Sequence, residues 1–146
     1  MQVSDQHWLP MNHQTIWSSL NDPDVLRRCI TVCESVEKTD NTHFRILIKV
    51  KVGFVSKRFL IKIEVIEGKT PQHYLLVAGL DGGIAGNANG EARVELIDDG
   101  IGTWLKYDAN IELMGWLGKL ESSLLSGTAK RYMHRFVQRF SLDSGC

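Results

Sequence analysis

Two hydrophobic periods divide this chain. From Phe44 onward apolar and polar residues alternate: Phe44, Ile46, Ile48, Val50 and Val52 stand against Arg45, Lys49 and Lys51, and beyond Gly53, Phe59, Ile61, Ile63 and Val65 stand against Arg58, Lys62 and Glu64. Successive side chains of a strand point to opposite faces, so each run predicts a strand with one core face and one wet face, and the short link makes them a hairpin. From Gly115 to Phe140 the period changes. Leu117, Leu120, Leu124, Thr128, Tyr132 and Phe136 recur at steps of three and four, which predicts one long helix with a largely apolar face.

The other segments fall around these two. Val3 to Leu9 reads as an opening strand with Val3, Asp5, His7 and Leu9 in one phase. Asn12 can cap a helix carrying Thr15, Ile16, Trp17 and Leu20, and Asp22 can cap a second, with Pro23 in its first turn, that runs to Cys29. Strands are expected at Cys33 to Lys38, Tyr74 to Leu80, Asn89 to Ile97 and Thr103 to Leu113, separated by turn residues at Asp40-Asn41, Gly68-Lys69-Thr70-Pro71 and Asp98-Asp99-Gly100. The order is strand, two short helices, six strands, one long helix. Short links between strands imply an antiparallel meander, and the long helix is the element large enough to cover its apolar face. One domain over residues 1–140 is expected, with 141–146 as a frayed end.

Charge narrows the partners. Seventeen basic and seventeen acidic residues cancel, so the whole-protein field that draws proteins to nucleic acid is absent, and no nucleic-acid partner is expected. Locally the balance differs: Lys130, Arg131, Arg135 and Arg139 lie near the end of the predicted long helix, where they suit the negative end of its dipole and could dock an acidic partner or lipid headgroups. Neither a leader pattern nor a membrane span is visible, which predicts a cytoplasmic protein, with the inner face of the membrane as a further option. Cys29, Cys33 and Cys146 are too few and too odd in number for a disulfide framework, and Cys29 and Cys33 read as buried thiols.

Catalytic chemistry is sparse. Asp5 and His7 share a strand phase and could form a pair inside the fold, whereas His13, His43, His73 and His134 have no metal-ligand spacing, so no metal or cofactor is expected. The glycine-rich segment 79–90 lacks the spacing of a phosphate loop and leads into a strand, so it reads as a hairpin tip. The inward positions are Ile48, Val50, Ile61, Ile63, Leu76, Ala78, Val94, Leu105, Tyr107 and Ala109 from strands, with Leu117, Leu120, Leu124 and Thr128 from the helix. Spacing alone leaves open whether they fill a core or line a pocket. The small Ala78 and Ala109 would leave volume, and Tyr107 could offer a hydroxyl to an apolar ligand.

The run Trp17-x-x-Leu20-Asn21-Asp22-Pro23-x-Val25-Leu26, followed by Cys29-Ile30-x-x-Cys33-Glu34-Ser35-Val36-Glu37-Lys38, resembles the CoxG family of carbon monoxide dehydrogenase subunits. The likeness continues through Lys49-Val50-Lys51-Val52-Gly53, Gly82-Gly83-Ile84-Ala85-Gly86 and Gly102-Thr103-Trp104-Leu105-Lys106-Tyr107-Asp108. The resemblance implies an α+β helix-grip (START-like) fold, a seven-stranded antiparallel sheet curved around the long C-terminal helix. It also implies a non-catalytic accessory protein of a molybdenum CO dehydrogenase or related hydroxylase, acting in maturation, membrane recruitment or the handling of a hydrophobic electron acceptor such as a quinone. The fourteen inward residues would then hold the quinone or lipid. An enzyme of the same fold, a cyclase or hydrolase using Asp5, His7 or Tyr107, is the competing reading, and a protein-interaction module with a filled core is a third.

Overall fold

The computed structural model describes residues 1–52, 54–68, 70, 72–83, 86–120 and 122–144. In chain order the elements are β1 (Gln2–Leu9), α1 (His13–Leu20), α2 (Pro23–Cys29), β2 (Cys33–Lys38), β3 (His43–Val52), β4 (Val55–Glu67), β5 (His73–Asp81), β6 (Asn87–Asp98), β7 (Thr103–Met114), a 3-10 turn (Leu117–Lys119) and α3 (Ser122–Ser144). Among the described residues the strands form one antiparallel sheet in the order β1-β7-β6-β5-β4-β3-β2. The six later strands are thus the expected meander, and β1 closes on its last member.

Both short helices start as their sequences dictate. Asn12 Oδ1 accepts from the Thr15 N–H at 2.8 Å, and Asp22 Oδ1 accepts from the Asp24 N–H at 2.9 Å, each satisfying an orphan donor of a first turn. Ile16, Val25, Leu26 and Cys29 are buried. Trp17 stacks on Tyr74 of β5 with ring centroids 3.4 Å apart, so α1 closes one end of the sheet's inner face. The buried Thr103 hydroxyl donates to the Met11 carbonyl at 2.7 Å and tethers the chain between β1 and α1 to the start of β7.

The long helix departs from expectation at both ends. It starts at Ser122, not Gly115, because Gly115 takes a left-handed conformation (φ 67°) that ends β7, and Leu117–Lys119 then makes a tight 3-10 turn. Leu117 is buried as part of this turn. At the other end α3 runs on to Ser144, so residues 141–144 are helical where a frayed tail was expected. Arg28 of α2 forks onto Asp143 at 2.9 and 3.1 Å and holds the last turn. Consequently Lys130, Arg131, Arg135 and Arg139 lie before the final turn, and the dipole no longer accounts for them.

Two apolar clusters form on the inner face among the described residues. One joins Leu9, Met11, Ile16, Val25, Cys29, Val94, Leu96, Leu105, Val137 and Phe140 at the α1–α2 end. The other joins Ile46, Ile48, Phe59, Leu117 and Leu125 over β3 and β4. The α3 backbone comes close to α2, α1, β1 and β3, and its Val137 and Phe140 join the cluster that holds Val94 and Leu96 of β6.

Candidate ligand site between sheet and helix

Register determines which strand residues share the inner face. Directly paired residues point the same way, and the pairs run Ile46↔Ile61↔Leu80↔Ala88↔Leu113, Phe44↔Ile63↔Ala78↔Gly90↔Ile111, Val65↔Leu76↔Ala92↔Ala109↔Val3 and Glu67↔Tyr74↔Val94↔Tyr107↔Asp5. Ile48 and Val50 follow the phase of Ile46, Leu105 that of Tyr107, and His7 pairs with Leu105. All ten strand positions expected to face inward therefore share one face, with Asp5 and His7 beside them.

Their packing is not uniform. Ile48, Val94 and Leu105 are buried within the two clusters. Ile61, Ile63, Leu76, Ala78, Tyr107, Ala109 and the edge residue Val50 are only half-buried, although α3 lies over this face. Ala78, Ala92 and Ala109 put only small side chains on this face. The half-buried inner face of β5, β6 and β7 beneath α3 is the candidate hollow. Ala92, at its centre, is a lining residue that the sequence reading missed; in the polar run Asn89-Gly90-Glu91-Ala92-Arg93 only strict alternation from Val94 could have pointed to it.

On the helix the stripe has shifted. Leu125 is 8% exposed and belongs to the second cluster, whereas Leu124, the expected inward residue, is 41% exposed. The 3-10 turn breaks the spacing that linked Leu120 to Leu124, so α3 presents Leu125, Met133, Phe136, Val137 and Phe140 instead. Leu120 stays half-buried against the second cluster. Thr128 is half-buried, but its hydroxyl donates to the Leu124 carbonyl at 2.8 Å. That bond occupies its donor within the helix.

Along the β1 side of the hollow stands a polar group. The His7 and Tyr107 rings stack with centroids 6.2 Å apart, and His134 of α3 tilts toward His7 at 6.4 Å. His7 Nε2 and the Tyr107 hydroxyl are both buried without a hydrogen-bond partner. Asp5 Oδ2 lies 3.9 Å from His7 Nε2, too far for a hydrogen bond. Burial pushes the His7 pKa down against the pull of Asp5, with His134 adding to the fall. Burial pushes Tyr107 up, and the charge of Asp5 adds to that. Both groups are therefore neutral at neutral pH, and each could serve an uncharged polar atom.

Other candidate features have structural partners. Cys29 is buried in the first cluster, and Cys33 Sγ donates to the Ser35 carbonyl at 3.3 Å; burial raises the pKa of both thiols. No group of three or more metal-ligating side chains occurs among the described residues. The glycine-rich segment forms the β5–β6 turn, with Ile84 and Ala85 outside the described residues. Lys130, Arg131, Arg135 and Arg139 are exposed, and Arg139 Nη1 donates to the Arg28 carbonyl at 3.2 Å. On the outer face a shallow groove of about 770 Å³ runs among Ser4, Gln6, His73, Arg93, Glu95, Lys106 and Asp108. Charged side chains border this groove, and it lies open to solvent.

Comparison with known proteins agrees with this geometry. A conserved protein from Geobacillus kaustophilus superposes with a TM-score of 0.88 at 25% identity, over 99% of this chain and 95% of that one. A START superfamily protein from Mycobacterium smegmatis superposes at 0.72 with 13% identity, over 99% and 97% of the two chains. The Zhui aromatase/cyclase from Streptomyces sp. R1128 does so at 0.72 with 11% identity, over 99% and 93%. The last two likenesses bear on the fold alone, which is the α+β helix-grip, START-like fold. No curated protein sequence matches. The family profile of CoxG, a carbon monoxide dehydrogenase subunit, matches residues 9–143, nearly the whole sheet and all three helices described above, and on that match the chain belongs to the CoxG family.

Proposed function

We propose that the protein binds an uncharged, largely apolar molecule in the hollow between sheet and α3, and that it serves as a non-catalytic accessory protein of a CO dehydrogenase-type molybdenum enzyme. One observation carries the binding reading. Two buried polar atoms, His7 Nε2 and the Tyr107 hydroxyl, lack partners at the edge of an apolar floor that stays half-accessible. An orphaned buried polar group costs about 1–3 kcal/mol, and a ligand carbonyl or hydroxyl would relieve it. A quinone, or a lipid with a neutral oxygen, carries such a group on an apolar body. The floor for it is Ile61, Ile63, Leu76, Ala78, Ala92 and Ala109, with Tyr107 as hydroxyl donor. Family membership supports the enzyme partner. The exposed Lys130, Arg131, Arg135 and Arg139 are the proposed contact to that partner or to a membrane, and the work done is maturation, membrane recruitment or electron-acceptor delivery in the cytoplasm.

A catalytic reading has one observation in its favour, the grouping of Asp5, His7 and Tyr107. In a hydrolytic dyad the carboxylate holds one ring nitrogen while the other faces the nucleophile. Here Asp5 lies nearest the same Nε2 that would face a substrate, and no hydroxyl or thiol is bonded to it. Binding is the simpler use of this geometry.

Native mass spectrometry of the purified protein, followed by titration with a short-chain quinone, tests the proposal. Stoichiometric uptake, lost on Ala92→Leu and weakened on Tyr107→Phe, is expected. A protein that purifies empty and takes up neither quinone nor neutral lipid would overturn it. The cyclase or hydrolase reading instead requires turnover that disappears with His7→Phe.

A further inference from the structure

The neutral net charge conceals a strong division. Between His43 and Ile63 the sequence holds six basic residues and no acidic one, whereas residues 64–112 hold nine acidic and three basic. The basic stretch is the β3–β4 hairpin. At its tip, next to the Val52↔Val55 pair, Phe54 is 101% exposed, and Val55 beside it is 39% exposed. A fully exposed phenylalanine at a turn contributes nothing to packing.

The tip also gathers cations from another element. β2 pairs with β3 only as far as the Lys49 N–H, which donates to the Val32 carbonyl, so the β3 edge beyond it is unpaired by strand. Tyr132 of α3 takes over there: its hydroxyl accepts from the Lys51 N–H at 3.4 Å. The guanidinium groups of Arg131 and Arg135 lie 5.5 and 5.7 Å from the centroid of the Tyr132 ring. Arg58 is bonded to Glu34 at 2.8 Å, but Lys49, Lys51 and Lys57 have no ion-pair partner among the described residues.

We propose that this tip docks on a bilayer rich in anionic phospholipid, with Phe54 entering the headgroup–acyl boundary and Lys49, Lys51, Lys57, Arg131 and Arg135 lying against the headgroups. A bilayer offers an apolar phase beneath an anionic plane and needs no shape complementarity, which suits a single protruding ring among cations. An acidic protein would reward the cations but would need a pocket for the ring. The docking does not depend on what occupies the hollow. It is peripheral, since no described helix is long and apolar enough to cross a membrane.

The test is co-sedimentation of the full chain with vesicles of phosphatidylcholine alone, or mixed with phosphatidylglycerol. Binding is expected to rise with phosphatidylglycerol and to fall with salt. Lys51→Gln and Lys57→Gln should each weaken it about fivefold, the equivalent of about 1 kcal/mol per basic residue near an anionic surface. Phe54→Ala should weaken it roughly tenfold, as the apolar ring no longer leaves water. Ile101→Ser is the control: Ile101 is 82% exposed in the β6–β7 loop at the opposite end of the sheet, and its loss should change nothing. Equal binding to phosphatidylcholine alone would overturn the proposal, as would an Ile101→Ser effect matching that of Phe54→Ala. If the lysine changes weaken binding while Phe54→Ala does not, the contact with the bilayer is electrostatic alone and the entry of Phe54 into the acyl boundary is overturned. Quinone uptake without vesicles should be untouched by all the tip variants, which separates this outcome from failure of the ligand site.

Discussion

Replacing Ala92 with leucine separates a hollow from a filled core by the sign of its effect. Ala92 pairs with Leu76 on one side and Ala109 on the other, and Ala109 pairs in turn with Val3. Leucine adds three carbon atoms on the inner face. If the space is packed, overfilling forces off-rotamer side chains and costs about 1–3 kcal/mol. If the space is open, each added carbon leaves water without strain at about 0.8 kcal/mol, and the three together stabilise the unliganded protein by up to about 2.4 kcal/mol. Urea unfolding with an unchanged m-value measures the difference as a shift of midpoint. The expected result is an unchanged or higher midpoint together with loss of quinone binding, because the leucine occupies the ligand's place. A midpoint lowered by more than about 1 kcal/mol, with no effect on uptake, would refute the reasoning.

Other substitutions test the supports of the site. Gly86→Ala should destabilise the fold, since φ is 98° and a Cβ there would sit 2.5 Å from the Met114 carbonyl oxygen; a lowered melting temperature checks this. Thr103→Val should cost about 1–3 kcal/mol in chemical denaturation, because the hydroxyl donates to the Met11 carbonyl at 2.7 Å from a fully buried position. Tyr107→Phe should raise the melting temperature of the unliganded protein, since it removes a buried hydroxyl that has no partner, and should weaken a quinone carbonyl's binding about fivefold to tenfold by calorimetry. His7 sets a pH dependence. Its folded pKa lies below the ordinary 6.5, so as pH falls past that value the unfolded chain takes up a proton that the folded chain still refuses. Stability should therefore decline below about pH 6.5 and level off once the folded pKa is passed, and His7→Phe should flatten that part of the profile.

The sheet was legible because strand alternation carries its own phase. The run Phe44-Ile46-Ile48-Val50 commits one face to the core, and every later strand must match it once hydrogen bonds pair them. The caps at Asn12 and Asp22 were legible for a local reason, since a side-chain acceptor at the right offset needs no tertiary information. The start of the long helix was not. Leu117 and Leu120 continue the spacing of Leu124 and Thr128, and it is the left-handed Gly115 before them and the extended backbone at Leu120 that set them apart from α3 as a turn. That break moved the buried position from Leu124 to Leu125, and the continuation to Ser144 took the basic residues out of the last turn. Ala92 stayed hidden because a methyl group among polar neighbours announces neither face.

The polar edge of the hollow bears on binding against catalysis through what it lacks. Asp5, His7 and Leu9 share a strand face with Val3, and pairing sets Asp5 opposite Tyr107, so the chain brings a carboxylate, an imidazole and a phenol to one place. Proximity alone gives no acid–base engine. A general base needs a proton within hydrogen-bond reach and a carboxylate that steadies its other nitrogen. His7 instead keeps Nε2 unbonded, with Asp5 at 3.9 Å from that same atom and burial holding the ring neutral. A neutral imidazole and a neutral phenol, each short of one partner beside a floor of alanine and isoleucine, complement a molecule that is apolar over most of its surface and polar at one point. On the proposed function, the unmet hydrogen bonds would act as the specificity device: a hydrocarbon of equal size would leave both groups orphaned, and a carboxylate head would meet Asp5 as a like charge.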